Sequence, residues 1–196
     1  MQIEYEATFW PVNKDDVREK LRAAGATLVK PEFLQKRKVF NLPKGHEIKG
    51  GWLRVRDEGD KITMSLKVVD GDKIENQKEL CLKVDSFEEA VDFLKSVGCE
   101  EKAYQETKRE KWELEGVEIT IDEWPFLEPF VEVEGKSEAV VKAVSDKIGF
   151  DWHQATFCST NTLYTKKYNL PEMVFTDISP LIIFDMENPF LKFLKK

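Results

Sequence analysis

Charged side chains recur at every second position within short apolar stretches of this chain: Glu4 and Glu6, Arg54 and Arg56, Glu132 and Glu134. On a β-strand alternate residues share a face, so each pair sets two like charges side by side on one surface. Such neighbours repel unless something of opposite sign lies between them. A sheet surrounding a site where carboxylates hold metal ions and arginines hold a polyanion resolves the conflict.

The rest of the chain can build such a sheet. Its 196 residues, 41% hydrophobic and 34% charged, suit one soluble domain, or one domain with an appendage, that buries a real core. The net charge of −7 argues against a general nucleic-acid binder, so no nucleic acid partner is expected and any polyanion must meet a local basic cluster. No apolar run approaches the length needed to cross a bilayer, and an amino terminus carrying Glu4 and Glu6 is unlike a signal peptide. A cytoplasmic protein without a membrane partner is expected. Cys81, Cys99 and Cys158 fall in no zinc spacing and read as reduced, mostly buried thiols, and His46 and His153 are too isolated to suggest a metal site.

Hydrophobic periodicity orders the elements. Gln2 to Trp10 alternates as one strand, and Pro11 ends it; Asn13 caps a helix to about Ala24. Leu28 to Leu42 is β-prone and broken by Pro31, and Trp52 to Asp57 and Lys61 to Val69 form a hairpin, followed by a strand from about Glu75 to Val84. Ser86 caps a second helix, with Glu89 at the capping-box position. Strands from about Ala103 to Glu113, Val117 to Glu123 and Phe130 to Glu134 precede a third helix from Ser137 to Ile148, and a short helix is expected near Asn161 to Lys167. Beyond it Pro171, Pro180 and Pro189 interrupt a tail rich in leucine, isoleucine and phenylalanine. Residues 1–170 are therefore expected to form the domain, and 171–196 an apolar extension packed on that domain or on a second subunit.

An ordinary antiparallel sheet also alternates, with its polar face in water. Here three helices with apolar stripes need sheet surface to cover, and the opposite strand faces carry spaced charge of both signs. If the sheet curls into a barrel with the helices outside, those charges line a wet interior. Glu4, Glu6, Glu132 and Glu134, with Asp122, then form an acidic pole suited to Mg²⁺ or Mn²⁺. Arg54, Arg56, Lys67, Lys83 and Arg109 form a basic pole suited to phosphate.

The ExE strand at Glu4 and Glu6, the RxR strand at Arg54 and Arg56, the strand carrying Lys67 and the later ExE strand at Glu132 and Glu134 together resemble the CYTH superfamily of triphosphate tunnel metalloenzymes. That superfamily includes class IV adenylyl cyclases, thiamine triphosphatases and inorganic triphosphatases. The stretch from Cys158 to Tyr168 is similar to the carboxy-terminal end of cyclase-like members, and the resemblance covers about residues 1–170. It implies an α+β fold, an antiparallel eight-stranded closed β-barrel with helices packed outside. It also implies metal on Glu4, Glu6, Glu132 and Glu134, with Glu4 and Glu6 catalytic, and phosphates on Arg54, Arg56, Lys67 and Arg109. Lys83 and Glu79 match the pattern less closely.

Two departures stand out. The family's first motif is ExExK, and its lysine position is Thr8 here; relatives often carry KxR where this chain has Thr107, Lys108 and Arg109. Three functions remain open on these grounds: hydrolysis of an inorganic or organic triphosphate, cyclisation of ATP, and binding of a triphosphorylated metabolite without turnover. The expected ligands are tripolyphosphate, ATP or thiamine triphosphate, with Trp10, Phe40, Trp124 or Trp152 as aromatics able to stack a base. A monomer or a homodimer fits equally well. A carrier of an apolar ligand would need the leucines and valines inside the barrel.

Overall fold

Alternation of apolar and charged residues dictates strands with one face for helices and another for polar groups, and the computed structural model, which describes residues 1–170 and 174–194, has that arrangement. The strands are β1 (Gln2–Ile3), β2 (Tyr5–Phe9), β3 (Thr27–Asn41), β4 (Gly51–Asp57), β5 (Ile62–Val69), β6 (Gln77–Val84), β7 (Glu100–Leu114), β8 (Val117–Glu123), β9 (Phe130–Gly135) and β10 (Leu181–Ile182). The helices are α1 (Lys14–Ala23), α2 (Phe87–Ser96), α3 (Glu138–Ile148), α4 (Thr160–Tyr168) and α5 (Phe175–Ile178).

One antiparallel sheet runs β1-β6-β5-β4-β3-β7-β8-β9-β2, with β10 joining β7 in parallel beside Tyr104 and Gln105. The barrel is nearly closed and its main path holds nine strands, where eight in a sealed ring were expected. The physical reason lies at Glu4. The single strand expected from Gln2 to Trp10 breaks there, so that β1 pairs with β6 and β2 pairs with β9 at the opposite end of the path. Gln77 fastens the break, its carbonyl accepting from Glu4 N at 2.9 Å and its side-chain amide donating to Glu6 O at 2.7 Å. Among the described residues no ladder joins β6 to β9, and the register of β1 reaches only Lys78 and Glu79 of β6. The remaining end of β6 is an open edge.

Apolar faces point outward to the helices. Ala7, Phe9, Ile119, Ile121, Val131 and Val133 pack with Val17 and Leu21 of α1 and Val141, Val144 and Ile148 of α3. Phe40 and Val55 pack with Ala90, Val91 and Leu94 of α2. Most leucines and valines of the sheet thus lie outside, and although Val39 and Val69 line the interior, the charged groups around them remove the apolar-carrier reading. α2 starts as its sequence indicates, with Ser86 Oγ accepting from Glu89 N at 3.1 Å. β3 passes through Pro31 instead of breaking, because register irregularities on both sides of Lys30 absorb the missing N–H.

The segment 174–194 packs on the barrel. Phe175, Ile182 and Phe190 join Trp124, Phe130, Leu163, Tyr164 and Tyr168 in one aromatic cluster, and Tyr104 N donates to Pro180 O at 2.8 Å. Pro171 lies outside the described residues. Of the cysteines, Cys99 is buried, Cys158 half-buried and Cys81 exposed. Cys81 sits on the part of β6 that β1 does not reach. Among the described residues no helix is long and apolar enough to cross a membrane.

Candidate functional site within the barrel

The inward faces of the strands enclose a cavity of about 970 Å³. Glu4, Glu6, Glu132 and Glu134 line it, as do Arg54, Arg56, Lys67 and Arg109, so the structure gathers most of the residues that the alternating pattern singled out. Strand pairing explains the acidic side: Glu6 sits directly across from Glu134, and Thr8 from Glu132. The basic side follows from β4, whose Arg54 and Arg56 share a face, and from Lys67 on β5.

Two of the named residues have other positions. Lys83 is exposed on the open edge of β6 and is not part of the cavity lining, because the unsealed seam leaves that end of the strand in solvent. Asp122 is fully buried behind the lining, where its Oδ1 accepts from Arg109 Nε at 2.7 Å and its Oδ2 from Thr120 Oγ1 at 2.6 Å. It orients Arg109 and does not face the cavity as a ligand.

Arg37 on β3 carries no signal in the sequence motifs, yet it is buried in the lining. Its Nη2 donates to Thr107 Oγ1 at 2.6 Å and Gln35 Oε1 at 3.0 Å, and its guanidinium lies 4.7 Å from the centre of the Trp124 ring. The run Lys36-Arg37-Lys38 hides which basic residue faces inward; the polar alternation of Gln35 and Arg37 was the available clue. Glu79 also lines the cavity and pairs with Arg54 at 3.0 Å. Of the four candidate stacking aromatics, Trp124 lines the cavity, Phe40 lies under α2, Trp10 joins the tail cluster and Trp152 packs on Phe157. Trp52, not singled out, lines it too.

Opposite charges meet across this space. Lys67 reaches Glu4 at 2.8 Å, and Arg109 reaches Glu132 at 2.6 Å. Burial, opposed by Lys67 and reinforced by the neighbouring Glu79 carboxyl, raises the pKa of Glu4 to about 7. Burial and the charge of Glu132 push Glu6 well above the carboxylate range, and burial raises Glu132 despite Arg109. Glu79 goes the other way: burial opposes ionisation, but the Glu4 hydrogen bond and the charges of Lys67 and Arg54 hold it well below its ordinary value. Among the arginines, burial and then Arg54 and Arg56 drive Arg37 far down, while burial, Arg54 and Arg109 lower Arg56 to about 10. Each of Arg37, Arg54 and Arg56 has a buried Nε with no hydrogen-bond partner among the described residues. Guanidinium groups so crowded and so incompletely bonded are short of anions.

The donor chemistry of Glu4, Glu6, Glu132 and Glu134, all oxygen, suits a hard divalent cation. Among the described residues no three acidic, histidine or cysteine side chains converge as a metal-binding group. Glu4 and Glu132 are instead engaged by Lys67 and Arg109. A polyanion that drew those cations away would free the carboxylates for a metal.

The raised carboxyls predict a stability profile. A carboxyl with a folded pKa above its unfolded value binds more protons when folded, so stability falls as pH rises from the ordinary 4.5 of glutamate to the folded value of about 7 for Glu4. Glu6 and Glu132 act in the same direction, whereas the loss from Glu79 lies at lower pH. Urea denaturation between about pH 5 and pH 7.5 is expected to show stability decreasing with pH, and Glu4→Gln to flatten the decline. A profile that rises through this window would show that these carboxyls are not held as described.

Solved structures share this architecture. The PH1012 protein of Pyrococcus horikoshii OT3 is 21% identical over 82% of this chain and 98% of its own, with a TM-score of 0.68. A candidate adenylate cyclase from Vibrio parahaemolyticus is 12% identical over 84% of this chain and 98% of its own, with a TM-score of 0.71. A Hippeastrum protein is 14% identical over 86% and 98%, with a TM-score of 0.55. Among curated proteins no sequence matches. The family model described as CYTH domain matches residues 2–163, a span that holds both ExE strands, the RxR strand and Lys67, and the chain belongs to that family.

Proposed function

We propose that the cavity binds the triphosphate of a small molecule together with Mg²⁺ or Mn²⁺ and that hydrolysis of a phosphoanhydride bond takes place there. The observation that carries this reading is the crowding of Arg37, Arg54 and Arg56, each of whose buried Nε has no hydrogen-bond partner among the described residues while their charges oppose one another. A triphosphate supplies several negative charges and many acceptor oxygens along one axis, which is what such a wall lacks. In this reading Arg54, Arg56, Arg109 and Lys67 hold the phosphates, Arg37 joins them, and Asp122 fixes the orientation of Arg109. Glu4, Glu6, Glu132 and Glu134 would hold the cation, which when bound neutralises phosphate charge and orients a water. Residues 174–176 of the tail contribute to the pocket walls.

The Hippeastrum structure is described as having a dominant triphosphatase activity, and the Vibrio structure as a candidate adenylate cyclase. Both descriptions support the substrate class and leave the nucleophile as water or ribose hydroxyl. Thr8 favours a further reading, binding without turnover. It is 3% exposed where the family motif has lysine, and its backbone is tied to Thr156 by hydrogen bonds of 2.9 Å in both directions. A cation is therefore missing from the acidic wall, and passive binding is the consequence if hydrolysis depends on it.

Incubating the protein with tripolyphosphate, ATP or thiamine triphosphate, each with Mg²⁺ or Mn²⁺, separates these outcomes. Orthophosphate release is the expected result. Pyrophosphate with cyclic AMP would mark a cyclase, and saturable binding without any product would mark a sensor.

A further inference from the structure

The turn between β4 and β5 folds one carboxylate back into the barrel wall. The Glu58 side chain is 1% exposed, whereas that of Asp60 in the same turn is 64% exposed. Three cations converge on Glu58: Arg56 at 2.6 Å, Lys61 at 3.6 Å and Lys111 at 3.7 Å. All three line the cavity, and Lys111 also reaches Glu118 at 3.1 Å. Burial opposes ionisation of Glu58, but the charges of Arg56, Lys111 and Lys61 outweigh it and keep the carboxyl below its ordinary range.

The turn does not need this side chain to form. Glu58 N donates to Lys61 O at 2.9 Å, Gly59 N to Asp57 Oδ1 at 2.7 Å, and Lys30 Nζ to Glu58 O at 2.7 Å. Neither carboxylate oxygen of Glu58 has a well-directed hydrogen bond among the described residues. Charge, and not directional bonding, holds it against the basic groups. Arg56, Lys61 and Lys111 line the cavity and Glu58 does not, so this buried carboxylate stands behind three cations whose charge it already answers.

We propose that Arg56, Lys61 and Lys111 form a further anion subsite, continuous with the triphosphate site, and that Glu58, buried behind them, takes up their charge and thereby excludes linear polyphosphates longer than tripolyphosphate. The proposal rests on the reading of the cavity as a triphosphate site and adds its chain-length specificity. Selectivity then comes from a repulsive element: an additional phosphate would meet three cations but also a buried like charge. Glutamine at position 58 keeps the shape and removes the repulsion.

Calorimetric titration of the parent and of Glu58→Gln with tripolyphosphate, tetrapolyphosphate and a longer linear polyphosphate tests this. The parent is expected to bind tripolyphosphate at least as tightly as the longer chains. Glu58→Gln is expected to improve binding of the longer chains by about tenfold or more relative to tripolyphosphate, and Lys61→Ala added to it to cancel that gain. An unchanged preference in Glu58→Gln overturns the assignment. So does a parent that binds tetrapolyphosphate about tenfold tighter than tripolyphosphate, a result that needs no variant to fold. Failure of the parent to bind tripolyphosphate would instead remove the reading on which the assignment rests.

Discussion

Replacing Arg54 with alanine is expected to weaken tripolyphosphate binding by about 2–5 kcal/mol, the usual range when one partner of a desolvated charge pair is removed. The guanidinium is almost fully buried, its side chain 9% exposed, and it stands between Glu79 and the other arginines of the wall. Truncation removes a forked donor from the phosphates and leaves the Glu79 carboxylate facing them without its partner. Arg54→Lys keeps the charge but not the fork, so partial recovery of affinity is expected. Calorimetry decides the matter, and an alanine variant that binds as the parent does would take Arg54 out of the site.

Arg109→Ala is expected to cost about 3–5 kcal/mol of folding stability, because breaking a buried ion pair strands the remaining charges. Arg109 bonds Asp122 and Glu132 at once, and Asp122 has no exposure to water. Asp122→Asn in the same chain removes one stranded charge, and part of the loss should return. Urea denaturation measures both changes. A loss below about 1 kcal/mol, the range of surface pairs, would mean that water already screens this group.

The sequence made the inward faces readable for a simple reason. A period of two on a strand fixes which residues share a surface, and an apolar opposite face with helices to cover it fixes which surface points out. Glu4, Glu6, Arg54, Arg56, Glu132 and Glu134 were found in this way. What escaped depends on register and on where the sheet fails to close. Lys83 follows the same alternation as Glu79, but it lies beyond the reach of β1 and so in solvent. Arg37 is flanked by two lysines, and only the pairing of β3 with β4 and β7 shows which of the three turns inward. Asp122 reads as a ligand from its strand position, yet Arg109 across the β7–β8 pair claims it. Glu58 lies in a turn, where no periodicity applies.

The central claim is that carboxylates and guanidinium groups of this sheet face one another across one cavity that accepts a polyanion. Titrating tripolyphosphate into the protein with Mg²⁺ at low and at raised salt tests it most directly. The account predicts saturable binding of one molecule per chain, weakened by salt and weakened further in Arg54→Ala. Absence of saturable binding at both salt concentrations, or binding that Arg54→Ala leaves intact, would contradict it.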